Sequence, residues 1–326
     1  MRLIDPEAAF AYLSEHSQSP GDVLSVRSQP GGYTSYTYKV QTTQGIYFLK
    51  HDPGHKKDSP ERRTDTDNLQ DEAAAYRVLR GYLHPSKLAE VIFMDTDNAA
   101  LLLTDALPGA DTTLKEVIHQ QKWPQECAQE VGYHIGALHG TAAGERPTVR
   151  SPHREAAYFQ RLVNWIGSDL TFNDPATQSL ILEKTDTVQA QQQTLLMGDL
   201  APRNIIVGES AVAFVDLARV TLGNPSFDVG YFAGHVLLNA IEFDQLPEAG
   251  RFLDSFRGGY QIGLAQSESK HSLSADGVFD HSKIFAAGWM HRRTFQPLTV
   301  EDIPSDERAR VEEYIQDLVR NESFGY

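Results

Sequence analysis

Cysteine is almost missing: Cys127 is the one thiol in 326 residues. A single cysteine closes no internal disulfide, and no CxxC or His/Cys cluster offers a zinc site, so a reducing compartment is expected. Long apolar runs are missing too. No stretch of 18 or more apolar residues is available to span a bilayer, and the opening MRLIDPEAAFAYL lacks the apolar core of a secretory signal. Basic charge is scarce: 29 Lys and Arg stand against 44 Asp and Glu, a formal net charge of −15. That balance speaks against a nucleic-acid partner, which requires a basic face. The acidic excess serves solubility and also suits a cationic small molecule. There is no internal repeat and no low-complexity tract. The expectation is a cytoplasmic chain with no membrane or nucleic-acid partner, its oligomeric state not set by the sequence. At 40% hydrophobic it has enough apolar residues for a large core in one domain or two.

The pattern changes along the chain. DPEAAFAYLSEH opens like a helix, with Asp5 as cap, Pro6 in the first turn and Glu7 near the positive end. DVLSVRSQ, YTSYTYKVQT and GIYFLK, between residues 22 and 50, are rich in β-branched and aromatic residues and read as strands. The polar HDPGHKKDSPERRTDTDN reads as a long loop. LQDEAAAYRVLRG is a helix stopped by Gly81, and EVIFMDTDNAALLLTDAL a hairpin turning at Thr96–Asn98. After Pro108 and Gly109 helices prevail. Cys127, Val131, Ile135 and Leu138 share one helical face, and 155–166, 177–193, 226–241, 245–263 and 305–321 are further helices. Only 195–216 interrupts with strands. The fold class expected is α+β: a small antiparallel sheet with one helix over 1–104, then a larger, mainly helical part over 105–326.

The interruption is the informative stretch. In LLMGDLAPRNIIVGESAVAFVDLARV two acids, Asp199 and Asp216, bracket a pair of short apolar strands, and Asn204 opens the first of them. A core has no use for acids there. Taken singly, each is a turn or cap acid beside Gly or Pro. Together, D-x4-N, a hairpin turn at Gly208–Ser210 and D fit phosphoryl transfer. That chemistry needs a carboxylate to orient the attacking hydroxyl, ligands for a metal, and a cation on the nucleotide phosphates. Asn204 and Asp216 are oxygen donors suited to a hard cation such as Mg2+, with Asp199 facing the substrate.

MGDLAPRNIIV, then FVDLARVTLGNPSFDVG, resembles the aminoglycoside phosphotransferase and choline kinase family, the small-molecule relatives of protein kinases. The resemblance implies a protein-kinase-like two-lobe fold, an ATP or GTP donor and Mg2+. By position, Asp199 corresponds to the catalytic base, Asn204 and Asp216 to the metal ligands, and Asp228 to the buried acid that braces the catalytic loop. One position departs. The family's His before Gly-Asp is Met197, whose adaptable side chain fills the same space without a hydrogen-bonding ring.

A lysine for the phosphates is then expected upstream on a strand. Lys50 ends GIYFLK and shares a face with Ile46 and Phe48; alone, it reads as a strand-end lysine reaching solvent. Leu69, Glu72, Ala73, Tyr76 and Leu79 form one helical stripe, and Glu72 is a charge inside it. Burying an unpaired carboxylate is costly, so Glu72 and Lys50 are expected to pair, as in the kinase fold. Asp71 is the alternative partner, with Glu72 solvated. Gly31 and Gly32, one strand earlier, resemble the family's nucleotide-covering loop, where glycine lets the backbone approach phosphates; Thr34 and Ser35 would add hydroxyls. ALLLTDALPG resembles the hinge that reads adenine, which implies Leu103 as lining and the backbone of Asp105 and Leu107 as readers.

The acceptor is less defined. Arg292 and Arg293 adjoin an aromatic cluster in a stretch that resembles the twin arginines of methylthioribose kinases, where a sugar is held. Alternatively they pair with Glu301, Asp302 or Glu312. Trp289, His291, Tyr231 and Asp169 are further candidates, and His139 reads as packed or capping. The leading function is an ATP-dependent phosphotransferase acting on a hydroxyl of a small molecule: an aminoglycoside-like antibiotic, an amino alcohol or a sugar-type metabolite. The alternatives are a nucleotide-binding pseudokinase, which Met197 favours, and a methylthioribose-kinase-like sugar kinase. A protein kinase is disfavoured: Met-Gly-Asp and Asp-Leu-Ala replace its signatures, and the stretch from Asp216 to Asp228 is too short for an activation loop.

Overall fold

The β-branched runs between residues 22 and 50 pair into an antiparallel sheet, and the helix expected after them docks with its charged stripe inward. The computed structural model describes residues 3–30, 35–55, 57, 61, 63, 68–150, 152–166, 172, 174–189, 194–267, 273–295 and 305–320. They form two compact units, Met1–Ala110 with Ala213–Arg219, and Asp111–Val212 with Val220–Tyr326. The chain thus returns to the first unit for seven residues, and Asp216 lies in that return.

The first unit holds α1 (Pro6–Glu15), β1 (Val23–Ser28), β2 (Tyr36–Thr42), β3 (Gly45–His51), α2 (Asn68–Leu79), β4 (Val91–Asp95) and β5 (Ala100–Thr104). The five strands run in the order β1-β2-β3-β5-β4. Asp5 caps α1 by accepting the Ala8 N–H at 2.8 Å, with Pro6 in the first turn as its fixed φ favours. Leu49 faces a core with Leu13, Tyr38, Phe93 and Leu102. Alternation along β3 sends Lys50 to the opposite face, where it meets Glu72 of α2. The return segment is tied in by a parallel bridge between Leu88 and Phe214.

The second unit begins with β6 (Thr112–Thr113), α3 (Leu114–His119), α4 (Gln125–Thr141), α5 (Pro152–Ile166) and α6 (Pro175–Gln189). Then come β7 (Thr194–Leu196), β8 (Ile205–Val207) and β10 (Thr221–Gly223), while β9 (Val212–Phe214) begins in this unit and ends in the return segment of the first. α7 (Ser226–Glu242), α8 (Leu246–Gln266), α9 (Ala275–Phe295) and α10 (Ser305–Arg320) complete it. β6, α3, β10 and α9 depart from the sequence reading. β10 pairs with β7, Leu222 opposite Leu195, so strands continue past residue 216. α9 was not foreseen because its apolar residues lie all round: Phe285, Ala286, Ala287, Trp289 and Met290 are buried in sequence, which removes the one-sided stripe by which helices are recognised.

Glycine lets α4 and α8 approach to backbone contact. A Cβ on Gly132 would drive into the Phe256 carbonyl and one on Gly136 into the Tyr260 carbonyl; Gly259 and Gly263 face Gln129 and Tyr133 in the same way. Backbone cannot yield as a side-chain tip does, so this overpacking costs about 1–3 kcal/mol or more. The crossing also brings His139 of α4 to Tyr260 of α8. Gly136→Ala is therefore expected to lower unfolding free energy by about 2–3 kcal/mol, read as a reduced urea midpoint.

Candidate active site

Lys50 is the centre of the first unit's polar cluster. Its Nζ donates to both Glu72 oxygens, at 2.8 and 2.6 Å, and to Asp216 Oδ1 at 2.8 Å. Glu72 is 1% exposed and Lys50 8%, so the pair exists only because each neutralises the other. Burial works against the Lys50 ammonium, but Asp216 and Glu72 outweigh it and hold it protonated, its pKa raised. Burial pushes the Glu72 carboxyl upward, opposed by Lys50. Glu72, not Asp71, carries the ion pair. Glu72 also accepts the Leu217 N–H, and Tyr76, one turn along α2, is bonded to the backbone of Asp216. The helix thereby fixes the return segment, where Asp216 adopts φ +60, a left-handed conformation that Asp tolerates better than most residues.

Leu103 is buried on β5 opposite Phe48. Asp105 Oδ1 accepts the Leu107 N–H at 3.1 Å, and the Leu107 carbonyl accepts the Ala110 N–H at 3.0 Å. The single N–H of Leu107 is thus spent inside the turn. An Asx turn shapes this segment. Gly31, Gly32 and Thr34 lie outside the described residues, as does Asp169.

In the second unit, the loop after β7 is held from behind. Asp228, fully buried near the start of α7, accepts the Met197 N–H at 2.6 Å and the Gly198 N–H at 2.9 Å. His139 Nε2 reaches the same carboxylate at 3.2 Å, and its Nδ1 meets Tyr260 Oη at 3.0 Å. A carboxylate only accepts, so His139 donates its Nε2–H to Asp228. Burial, then Asp228, raise Tyr260 and keep it a donor. Met197 contributes its main chain to this network, and its side chain packs in the interior. His139, read from sequence as packed or capping, is an internal link of the network; an inward His on the α4 apolar face was the available signal.

Gly198 takes φ +71, which turns the chain so that Asp199 leaves the strand direction. A 3₁₀ turn, Pro202–Asn204, follows. Asn204 Nδ2 donates to the Asp199 carbonyl at 2.9 Å, and Arg203 Nη2 reaches both Asp199 carboxylate oxygens at 2.8 and 2.9 Å. Asn204 closes this turn instead of opening the strand. Its amide nitrogen is committed to the loop, so its oxygen is the end that suits a hard cation. Among the described residues no group of three or more His, Cys, Asp or Glu forms a metal cluster.

Ala201 and Leu196 pack into an aromatic core with Phe159, Phe227, Tyr231, Phe285 and Trp289. Beside it the His235 ring lies 4.7 Å from Trp289 and 5.0 Å from Tyr231. His235 Nε2 and Trp289 Nε1 are both buried without a hydrogen-bond partner among the described residues. Arg293 stands over the Trp289 ring at 5.6 Å, and Arg292 over Trp165 at 4.6 Å. Arg292 also donates to the Trp165 carbonyl at 2.5 Å, so a ring and a carbonyl engage it. Phe172 packs on His291 at 4.0 Å.

Residues 25–267 match the profile of the phosphotransferase enzyme family. The chain belongs to that family. A 4-hydroxytryptamine kinase from Psilocybe cubensis is 24% identical over 305 residues, covering 82% of this chain and 81% of that protein. The choline kinase of Streptococcus pneumoniae superposes with a TM-score of 0.53 at 15% identity, covering 96% of this chain and 98% of the other. An amicoumacin kinase in complex with AMP-PNP and Ca2+ does so with a TM-score of 0.55 at 15% identity, over 91% and 89% of the two chains. The fold is that of the protein-kinase-like small-molecule kinases, and the chain is a phosphotransferase with an alcohol acceptor. No helix of the described residues is long and apolar enough to cross a membrane.

Two predictions follow for the phosphotransferase. Asp228→Asn places an amide NH2 where one backbone N–H needs an acceptor, leaving a buried donor unsatisfied. A loss of about 3 kcal/mol is expected, measured by urea unfolding. For His235, burial first, then Arg203, Arg293 and Lys115, hold the pKa well below 6.5. The unfolded chain therefore binds the proton first as pH falls, and stability declines below about 6.5. Between about pH 7.5 and 5.5 wild type should lose about 1 kcal/mol more than His235→Phe, read from paired denaturation curves.

Proposed function

We propose that this phosphotransferase moves the γ-phosphate of ATP to a hydroxyl of a small molecule, an aminoglycoside-like antibiotic, amino alcohol or sugar-type metabolite. The observation that carries the reading is the buried Lys50 ammonium held by Glu72 and Asp216. A lysine so fixed serves the nucleotide phosphates, as in the kinase mechanism. Leu103 and the backbone of Asp105 and Leu107 would line the base, and Gly31 and Gly32 stay as candidates for the phosphates. Asp199 accepts the acceptor hydroxyl's proton; the oxygen bonds to Pγ, and the bond from Pγ to the bridging oxygen breaks with its electrons on ADP. Asn204 and Asp216 offer oxygen atoms suited to Mg2+, which when bound neutralises phosphate charge.

The names of the relatives support the breadth of the acceptor class, since one is a 4-hydroxytryptamine kinase and another a choline kinase. Arg292 and Arg293 stay as acceptor candidates; Arg292 is engaged by Trp165 and Arg293 stands over Trp289. The pseudokinase alternative loses its argument in Met197: the loop is held through main-chain amides by Asp228, a task the missing His side chain is not needed for.

The test is ADP release on a panel of aminoglycosides, amino alcohols and sugars, with Asp199→Ala beside wild type. Wild type should turn over at least one class. The variant should lose activity by about three orders of magnitude or more while ATP still raises its melting temperature, because base catalysis and positioning fail together. Phosphorylation by Asp199→Ala at wild-type rate would overturn the reading.

A further inference from the structure

Arg203 lies outside every role assigned so far, yet it touches the carboxylate on which the reading turns. We propose that Arg203 is a positioning residue for phosphoryl transfer, orienting the Asp199 carboxylate and keeping a positive charge beside the acceptor hydroxyl; this rests on Asp199 being the base.

Four observations carry it. Asp199 is 7% exposed, and an ionised carboxylate so buried requires a charged or hydrogen-bonding partner. Arg203 supplies one nitrogen to both oxygens, at 2.8 and 2.9 Å. That symmetric contact fixes the carboxylate plane instead of drawing one oxygen aside. Third, the contact is built into the chain. The Pro202–Asn204 turn sets the i,i+4 spacing, and Asn204 pins the Asp199 carbonyl from the same turn. The loop thus holds Asp199 at carbonyl and carboxylate alike. Fourth, the Arg203 side chain is 40% exposed, and ion pairs of that exposure add little to stability. A fold-stabilising role alone would leave the arrangement without a purpose.

The charge balance gives the chemical role. When the hydroxyl proton passes to Asp199, the new bond forms to Pγ and the pair of electrons from the broken bond leaves with ADP. Asp199 is then neutral. Arg203 is permanently charged, so the site keeps a cation at the moment when charge on the transferred phosphoryl oxygens needs stabilising. Because Arg203 cannot give up a proton, the proton leaves through Asp199. Nearby, His235 stays neutral, kept so by its burial and by Arg203, Arg293 and Lys115. It does not add a titrating charge to this corner.

The experiment compares Arg203→Ala, Arg203→Lys and Asp199→Asn in ADP release. Assays use the panel acceptor with the highest turnover and, separately, ATP with water as acceptor. Arg203→Ala should lower kcat by about 30- to 100-fold, the scale of a lost charge-assisted hydrogen bond, with KM for ATP within about threefold of wild type. Arg203→Lys should regain about tenfold of that loss, since it restores the charge but not the planar guanidinium. Millimolar methylguanidinium should raise the rate of Arg203→Ala and leave Asp199→Asn unchanged, a response that a purely structural residue does not give. Melting temperatures should stay within a few degrees, and Arg203→Lys carries the test if the alanine variant fails to fold. Arg203→Ala with kcat within twofold of wild type, beside an inactive Asp199→Asn, overturns the proposal and leaves the base standing. An active Asp199→Asn overturns both.

Discussion

The Asp228 carboxylate is the constraint that the second unit's loop depends on. A buried carboxylate would destabilise the core if its acceptor sites were unmet. Here it takes two backbone N–H groups from consecutive residues, Met197 and Gly198, and an imidazole N–H from His139. Two adjacent amides aimed at one carboxylate define the peptide plane between them. The next residue then has little freedom, and Gly198, at φ +71, makes the sharp turn that presents Asp199. Burial alone orders none of this; the hydrogen-bond directions do. The α4–α8 glycine contact stands behind it, because only backbone-to-backbone approach brings Tyr260 within 3.0 Å of His139.

The first unit applies the same logic with the signs reversed. There the buried group is a cation, Lys50, and the return segment is fixed through the acid that neutralises it. Glu72 is bound both to the ammonium and to the Leu217 N–H, while Tyr76 engages the backbone of Asp216. One helical stripe therefore sets a side-chain charge and a backbone conformation together. In each unit a buried charge holds a short stretch of main chain, and that stretch carries an acid, Asp199 in one and Asp216 in the other.

The legible parts of the sequence were those in which a local pattern and its physical cause coincide. Period-two runs of aromatic and β-branched residues marked β1, β2 and β3 because a pleated strand alternates its faces. Glu72 stood out because a carboxylate inside an apolar stripe demands a partner, and Lys50 was the nearest strand-borne cation. The helix α9 was not legible, since apolar residues on every side erase the stripe. β7 and β10 are three residues long, too short for any period. Asn204 was placed one step late: the Pro202–Asn204 turn uses the residues that seemed to begin a strand. Arg203 carried a signal, opposite charges four residues apart, which lost its meaning once the segment was read as loop and strand.

Tertiary closeness accounts for what remained hidden. His139 and Tyr260 are 121 residues apart, and nothing local to either announces the other. Yet the glycines that join them were visible. Gly132, Gly136 and Gly140 recur at four-residue spacing on α4, and Gly259 and Gly263 on α8. Reading α4 for its apolar face alone treats those glycines as neutral fillers. On a helix, a glycine every fourth residue removes side chains along one line, and the physical consequence is a groove that admits a second backbone. That groove fixes how far α8 lies from α4, hence whether a tyrosine hydroxyl reaches a histidine that already holds the acid behind the loop. The apparent loss of the family's His at Met197 is then less a defect than a division of labour, because the loop's amides, not the side chain at that position, receive the bracing charge.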